Sequence, residues 1–167
     1  MRYLYFILIF LISSFLFLFL NFYDNGWQLL QPFLVALLLI YFNSEKEWVY
    51  YTFALLAGFF IDSFTGIFGL HAVIFVIIVF VLKSLQVTIL SSKNILSIIL
   101  LTLFSFVVFW LLFWASDLIF NWDLYIIDNN LIKPILKMTG INIFLVIFLH
   151  LIYYNFWVKP HDQKQSF

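Results

Sequence analysis

Hydrophobic residues are grouped along the chain in six runs, and short polar clusters separate these runs. An apolar run of about twenty residues is long enough to cross a hydrocarbon core as a helix. The pattern predicts helices over six segments: Tyr3–Phe22, Pro32–Phe42, Glu47–Asp62, Leu70–Leu85, Ile95–Trp114 and Pro134–Val158. We therefore expect an all-α polytopic membrane protein with six transmembrane helices.

Two parts of this pattern leave alternatives open. The second run begins near Pro32, a residue suited to the first turn of a helix, but it is short for a membrane crossing. It is either a full crossing that starts as early as Trp27 or a re-entrant half-helix. The stretch 115–133 mixes aspartates with large apolar residues. That mixture suits an interfacial helix, a partner surface or an extension of the fifth run.

Composition supports a lipid environment. Hydrophobic residues make up 66% of the chain and charged residues 10%, whereas soluble domains are nearer half apolar and a quarter charged. The first run is too long for the apolar part of a signal peptide and lacks the small residues of a cleavage site, so we expect an uncleaved helix. Residues 1–158 are predicted to form one integral-membrane domain, followed by a polar tail over 159–167.

The basic residues predict the orientation of these helices. Cytoplasmic loops of membrane proteins carry an excess of Lys and Arg. Six crossings place most of the basic residues on one side, namely Arg2, Lys46, Lys83, Lys93, Lys159 and Lys164, and leave Lys133 and Lys137 on the other. We therefore predict a multi-pass protein of the bacterial cytoplasmic (inner) membrane with both termini and the tail in the cytoplasm.

The stretch between the third and fourth runs has the most distinctive pattern. Ala54, Gly58 and Asp62 are spaced by four residues, so they share one stripe of a helix. Small residues on such a stripe let another helix approach closely in lipid. Because a carboxylate at membrane depth is expensive, we expect this stripe to face protein rather than acyl chains.

The turn that follows holds Gly66 and Gly69, and His71 opens the next run. Asp62 either caps the Ser63–Gly69 turn by accepting backbone N–H bonds, or binds a cation, a proton or a partner. His71 either meets Asp62 across the hairpin or is a polar anchor at the interface. Farther along, Asn142 and His150 lie two turns apart on one helix face, where they can form hydrogen bonds between helices.

Several classes of function are excluded or disfavoured. The chain has no cysteine, which excludes disulfides and thiolate chemistry, and a net charge of zero without a basic tract disfavours nucleic-acid binding. A membrane aspartyl protease would need two carboxylates that share a proton, and the residues around Asp62, Asp117 and Asp123 do not resemble that family. Motifs for metal or nucleotide binding are also missing, so we expect no enzyme and no cofactor.

The hairpin resembles the MreD family of rod shape-determining membrane proteins. The likeness lies in Gly58 and Asp62 at a helix end, the short polar turn 63–66, and the restart Gly69-Leu70-His71-Ala72. It implies a non-enzymatic scaffold of the bacterial elongation complex, or elongasome, which supports lateral peptidoglycan synthesis and rod shape. The implied partner is MreC, which links it indirectly to MreB filaments, a RodA-type glycosyltransferase and a class B transpeptidase.

The same resemblance supplies an alternative function. MreD proteins are similar in fold to the six-helix substrate-binding subunits of energy-coupling-factor vitamin transporters. In that case the bundle would enclose a small molecule, and the Asp62–His71 hairpin would line its pocket. Such a pocket needs several convergent polar groups. The sequence offers few beyond Asp62, His71, Asn142 and His150.

Overall fold

The structure is a computed structural model that describes residues 2–22, 29–44, 46–67, 69–88, 95–121 and 129–153. These residues are all-α, as predicted, and contain no strand. The six helices are α1 Arg2–Asn21, α2 Pro32–Asn43, α3 Glu47–Thr65, α4 Leu70–Thr88, α5 Ile95–Phe120 and α6 Asn129–Tyr153. The predicted tail 159–167 and a start of α2 as early as Trp27 lie outside the described residues.

Several helix ends differ from the predicted bounds; α4, for example, continues three residues beyond Leu85 to Thr88. α3 continues to Thr65, because Gly66 is the first residue to adopt the left-handed conformation (φ 75°), and its N–H bonds the carbonyl of Asp62. α5 includes Asp117 and continues to Phe120, so residues 115–120 are a helical extension of the fifth run. α6 begins at Asn129 instead of Pro134, so this proline lies inside the helix, past its first turn, at a position where it cannot donate a helical hydrogen bond.

The short helix α2 lies in the middle of the bundle. It packs against α1, α3 and α6. The most extensive pairing is that of α3 with α4; α4 also packs against α5, and α5 packs against α6. Side chains on nearly every side of α2 are buried, and Phe33, Leu34, Leu37 and Leu38 are fully inaccessible. A helix that is apolar all round belongs in an interior, which explains why this run has no polar face.

The start of α2 is held by a polar side chain from α6. Backbone N–H of Gln31 donates to Oδ1 of Asn142 at 3.2 Å, and Nδ2 of Asn142 donates to the carbonyl of Leu29 at 3.5 Å. Both bonded backbone groups precede the first helical turn, and Asn142 is only 2% exposed. Non-helical backbone is tolerated at membrane depth where it is buried in protein and its polar groups are satisfied. Asn142 therefore supplies hydrogen-bond partners for two backbone groups, the N–H of Gln31 and the carbonyl of Leu29, that precede α2.

Within the part of the chain that the structure describes, length and hydropathy identify two helices that are able to cross a membrane. They are Leu96–Phe120 and Ile132–Tyr153. Shorter apolar helical stretches cover Tyr5–Asn21, Pro32–Asn43 and Leu70–Gln86. Large hydrophobic side chains are also exposed along α1, α5 and α6, including Phe15, Leu118 and Phe144.

Candidate functional site at the α3–α4 turn

The backbones of α3 and α4 are closest at Gly58. A Cβ atom at this position would overlap the backbone N and Cα of Ala72 and would lie 2.7 Å from the carbonyl carbon of His71. These neighbours are backbone atoms near the start of α4, so they cannot rotate away as a side chain can. Ala54, one turn earlier, is fully buried. Only glycine at position 58 allows this separation of the two helices.

This close approach brings the carboxylate of Asp62 to the N-terminus of α4. Backbone N–H of His71 donates to its Oδ1 at 3.0 Å, and backbone N–H of Ala72 donates to its Oδ2 at 3.4 Å. The first N–H groups of a helix lack partners within the helix, and the helix dipole favours a negative charge there. Asp62 thus caps the first turn of α4, a different place from the Ser63–Gly69 turn that we expected it to cap.

The imidazole of His71 completes this arrangement. Its Nδ1 lies 2.7 Å from Oδ1 of Asp62, and with the proton on Nδ1 the ring donates to the carboxylate. The Asp62 side chain is wholly inaccessible and that of His71 is 7% exposed. The rings of Phe75, Phe109 and Phe113 lie within 6.4 Å of the imidazole, centroid to centroid. The structure therefore brings together the two residues that the sequence left as a possible pair.

Two glycines complete the turn between these helices. Gly66 and Gly69 have φ angles of 75° and 90°, the left-handed region that side chains with a Cβ rarely adopt. A Cβ at either position would meet open space, so backbone conformation rather than crowding favours glycine there. Phe68, between them, lies outside the described residues. The turn glycines and Gly58 thus act differently: the first two shape the turn, and the third sets the helix spacing.

The opposite end of the α3–α4 hairpin has an ion pair between the two helices. Nζ of Lys83 lies 2.6 Å from Oε2 of Glu47, and both side chains are substantially exposed. Nearby, the Tyr41 hydroxyl donates to Oε1 of Gln86, which links α2 to α4. An exposed pair of this kind contributes little to stability. The buried Asp62–His71 pair is the one on which the geometry of the hairpin depends.

Sequence reasoning missed several polar contacts between other helices. Asn142 was predicted to bond another helix, but its actual partners are backbone groups more than a hundred residues away in the chain. Nε1 of Trp110 donates to the hydroxyl of Thr139, joining α5 to α6. Nδ1 of His150 is buried without a hydrogen-bond partner among the described residues, and its ring lies against Phe42. Spacing along the chain carries no signal for such long-range pairs.

The chemistry of the Asp62–His71 pair is limited by its surroundings. Both oxygens of Asp62 accept hydrogen bonds from the backbone of α4, Nδ1 of His71 bonds Oδ1, and phenylalanine rings lie around the imidazole. Within the described ranges, no cluster of three or more His, Asp or Glu side chains is arranged to bind a metal. Among the described residues, a groove of about 390 Å³ lies between the ends of α1 and α3 and is lined mainly by Phe17, Leu18, Phe22 and Phe64. The pair is suited to fixing the helices rather than to receiving a substrate.

Comparison of the chain with protein-family models, with curated proteins and with solved structures finds no match.

Proposed function

We propose that this chain is a non-enzymatic scaffold subunit of the MreD type, which crosses the bacterial cytoplasmic membrane six times. The observation that carries the proposal is the buried hairpin. Its carboxylate accepts hydrogen bonds from the imidazole Nδ1 and from backbone N–H groups at the start of α4, and these bonds hold α3 against α4. A residue pair in this position fixes how the two helices are placed, and partners can bind the surface that results. The neighbouring phenylalanine rings leave little space for a reacting molecule.

Helix lengths support six crossings. At a rise of 1.5 Å per residue, α1, α3 and α4 are each about 28 to 30 Å long, close to the ~30 Å thickness of a hydrocarbon core. The twelve residues of α2 span only about 18 Å. Residues 29–31, of which Leu29 is buried and lies in a 3₁₀ turn, add at most about 10 Å, so the segment reaches at most about 28 Å. The bonds from Asn142 supply the partners that such a non-helical stretch needs in lipid.

The outer surfaces of the helices support lipid as the surrounding medium. Large side chains such as Ile7, Leu11 and Phe15 on α1 and Leu111 on α5 are about half to two-thirds exposed. Apolar patches of this extent are rare on soluble monomers. With the termini in the cytoplasm, as the basic residues favour, the Asp62–His71 pair lies near the outer face of the membrane.

The role that follows is to hold the cell-elongation complex together. MreC would bind directly, and through it the chain would be linked to the RodA-type glycosyltransferase, the class B transpeptidase and the MreB filaments. The vitamin-transporter alternative needs an open polar pocket. The packed rings around His71 favour the scaffold over that alternative.

Affinity purification from membranes of the source bacterium tests this function. The tagged full chain should recover MreC, and depletion of the chain should turn rods into rounded cells. Recovery of a transmembrane energising subunit with ATPases would instead support the transporter alternative. An unchanged cell outline after depletion, with MreC absent from the purified material, would refute the scaffold proposal.

A further inference from the structure

The outward face of α6 contains a glycine, which the exposed apolar faces of the other described helices lack. Gly140 lies in the interior of α6, is exposed, and would have no atom within 4 Å of an added Cβ. A glycine weakens a helix interior, and packing within the described chain gives no reason for it. In membranes, glycine at a helix surface lets the backbone of a second helix approach closely.

The residues around Gly140 outline a continuous surface, which we call the α6 face. Leu136 and Phe144 lie one turn before and one turn after the glycine, with exposures of 66% and 64%, and Phe148 continues the same side. Only 17% of the apolar stretch of α6 is buried inside the protein, compared with 44% of the apolar stretch of α5. By contrast, the exposed face of α1 bears large side chains such as Leu11 and Phe15, which suit contact with acyl chains.

Charge identifies the kind of helix that fits this face. Lys133 and Lys137 are exposed on the same side of α6, two turns and one turn before Gly140 respectively, and neither forms an ion pair with a described residue. In the proposed orientation they lie at the outer membrane surface, the side that positive charge normally avoids. A second copy of this chain would bring lysines against lysines, which is repulsive. A helix that carries a carboxylate near its outer end would be complementary.

We propose that the α6 face binds the single transmembrane helix of the partner protein. Gly140 is the point of closest backbone approach, and Lys133 and Lys137 pair with an acidic residue at the outer end of that helix. The inference rests on the proposed scaffold function and adds the surface through which the scaffold binds MreC.

Single-cysteine cross-linking tests this surface, and the absence of native cysteine removes background labelling. A thiol-attached photocrosslinker at Leu136→Cys, which keeps the glycine, should form an adduct with MreC in native membranes. The same probe at Leu11→Cys on α1 is the matched control and should react with lipid. Adducts with only lipid or a second copy from Leu136→Cys, or MreC captured from Leu11→Cys instead, would overturn the proposal.

Substitutions test the α6 face separately from the proposed scaffold function. Gly140→Leu should lower MreC recovery at least tenfold while the purified chain keeps its thermal stability, because the Cβ enters open space. Replacing Lys133 and Lys137 together with Glu should lower recovery similarly, whereas replacing both with Arg should preserve it. Normal recovery with Gly140→Leu and with the Glu pair would leave the scaffold function intact and refute the α6 face. Absence of MreC from the wild-type purification would refute both.

Discussion

Gly58 shows how one missing side chain fixes the spacing of two helices. We predict that Gly58→Ala lowers the free energy of unfolding by about 1–3 kcal/mol, because an added methyl group must displace backbone instead of a rotatable side chain. Thermal unfolding in a mild detergent measures the change. Gly140→Ala is the matched control, and its open surroundings predict unchanged or slightly raised stability. Equal stability of the two variants would contradict the close approach at Ala72. The bulkier Gly58→Leu should also reduce assembly with MreC.

Asp62 contributes to stability through its hydrogen bonds to the start of α4. Substitutions that remove these bonds one by one should lower stability in steps. Asp62→Asn keeps one acceptor oxygen for the backbone N–H of His71, whereas Asp62→Ala removes both oxygens. A hydrogen bond to a charged group contributes about 1.5–3 kcal/mol, so stability should fall from wild type to Asn to Ala. Chemical unfolding measures this order.

The control for this series lies at the other end of the same hairpin. Glu47→Gln breaks an exposed ion pair, which is worth only about 0–1 kcal/mol. If Asp62→Ala were no more damaging than Glu47→Gln, the carboxylate would have no structural role. A stable Asp62→Asn variant that fails to bind MreC would instead assign Asp62 to the partner interface.

Among the elements, α2 has a start that is held by a side chain more than a hundred residues away in the chain. Asn142→Leu leaves the N–H of Gln31 and the carbonyl of Leu29 without their side-chain partner. We expect a loss of about 1–3 kcal/mol, the cost of buried polar groups left unpaired. Thr139→Val removes a side-chain bond between α5 and α6, and such bonds in membranes average only ~0.6 kcal/mol. Similar losses in the two variants would refute the special role of Asn142.

Element bounds were predictable where hydrophobicity decides them, and less so where tertiary contacts do. The starts of α2, α3, α4 and α5 match the expected residues, because Pro32 and the polar clusters mark them. Pro134 suggested a helix start, but α6 tolerates it after its first turn. Glycine and aspartate spacing located the hairpin. Its cap geometry depends on how α4 is placed against α3, and local sequence does not encode that placement.

For the whole molecule, the arrangement of helices makes a sharp prediction about sidedness. In the proposed six-crossing topology, Phe22 and Thr65 lie outside and Ser44 lies in the cytoplasm. Each is within or next to a helix end, and Phe22 and Thr65 are well exposed. Because the native chain has no cysteine, single Cys variants at these positions report sidedness without background.

A membrane-impermeant thiol reagent should label Phe22→Cys and Thr65→Cys in intact spheroplasts, and should label Ser44→Cys only after permeabilisation. This result requires both α2 and α3 to cross, so it tests the short helix directly. Labelling of Phe22→Cys and Ser44→Cys from the same side would make α2 a re-entrant half-helix. The reversed pattern at all three positions would mean that the orientation is inverted. Lys133 and Lys137 would then lie on the cytoplasmic side, and they could not pair with an acidic residue at the outer end of a partner helix.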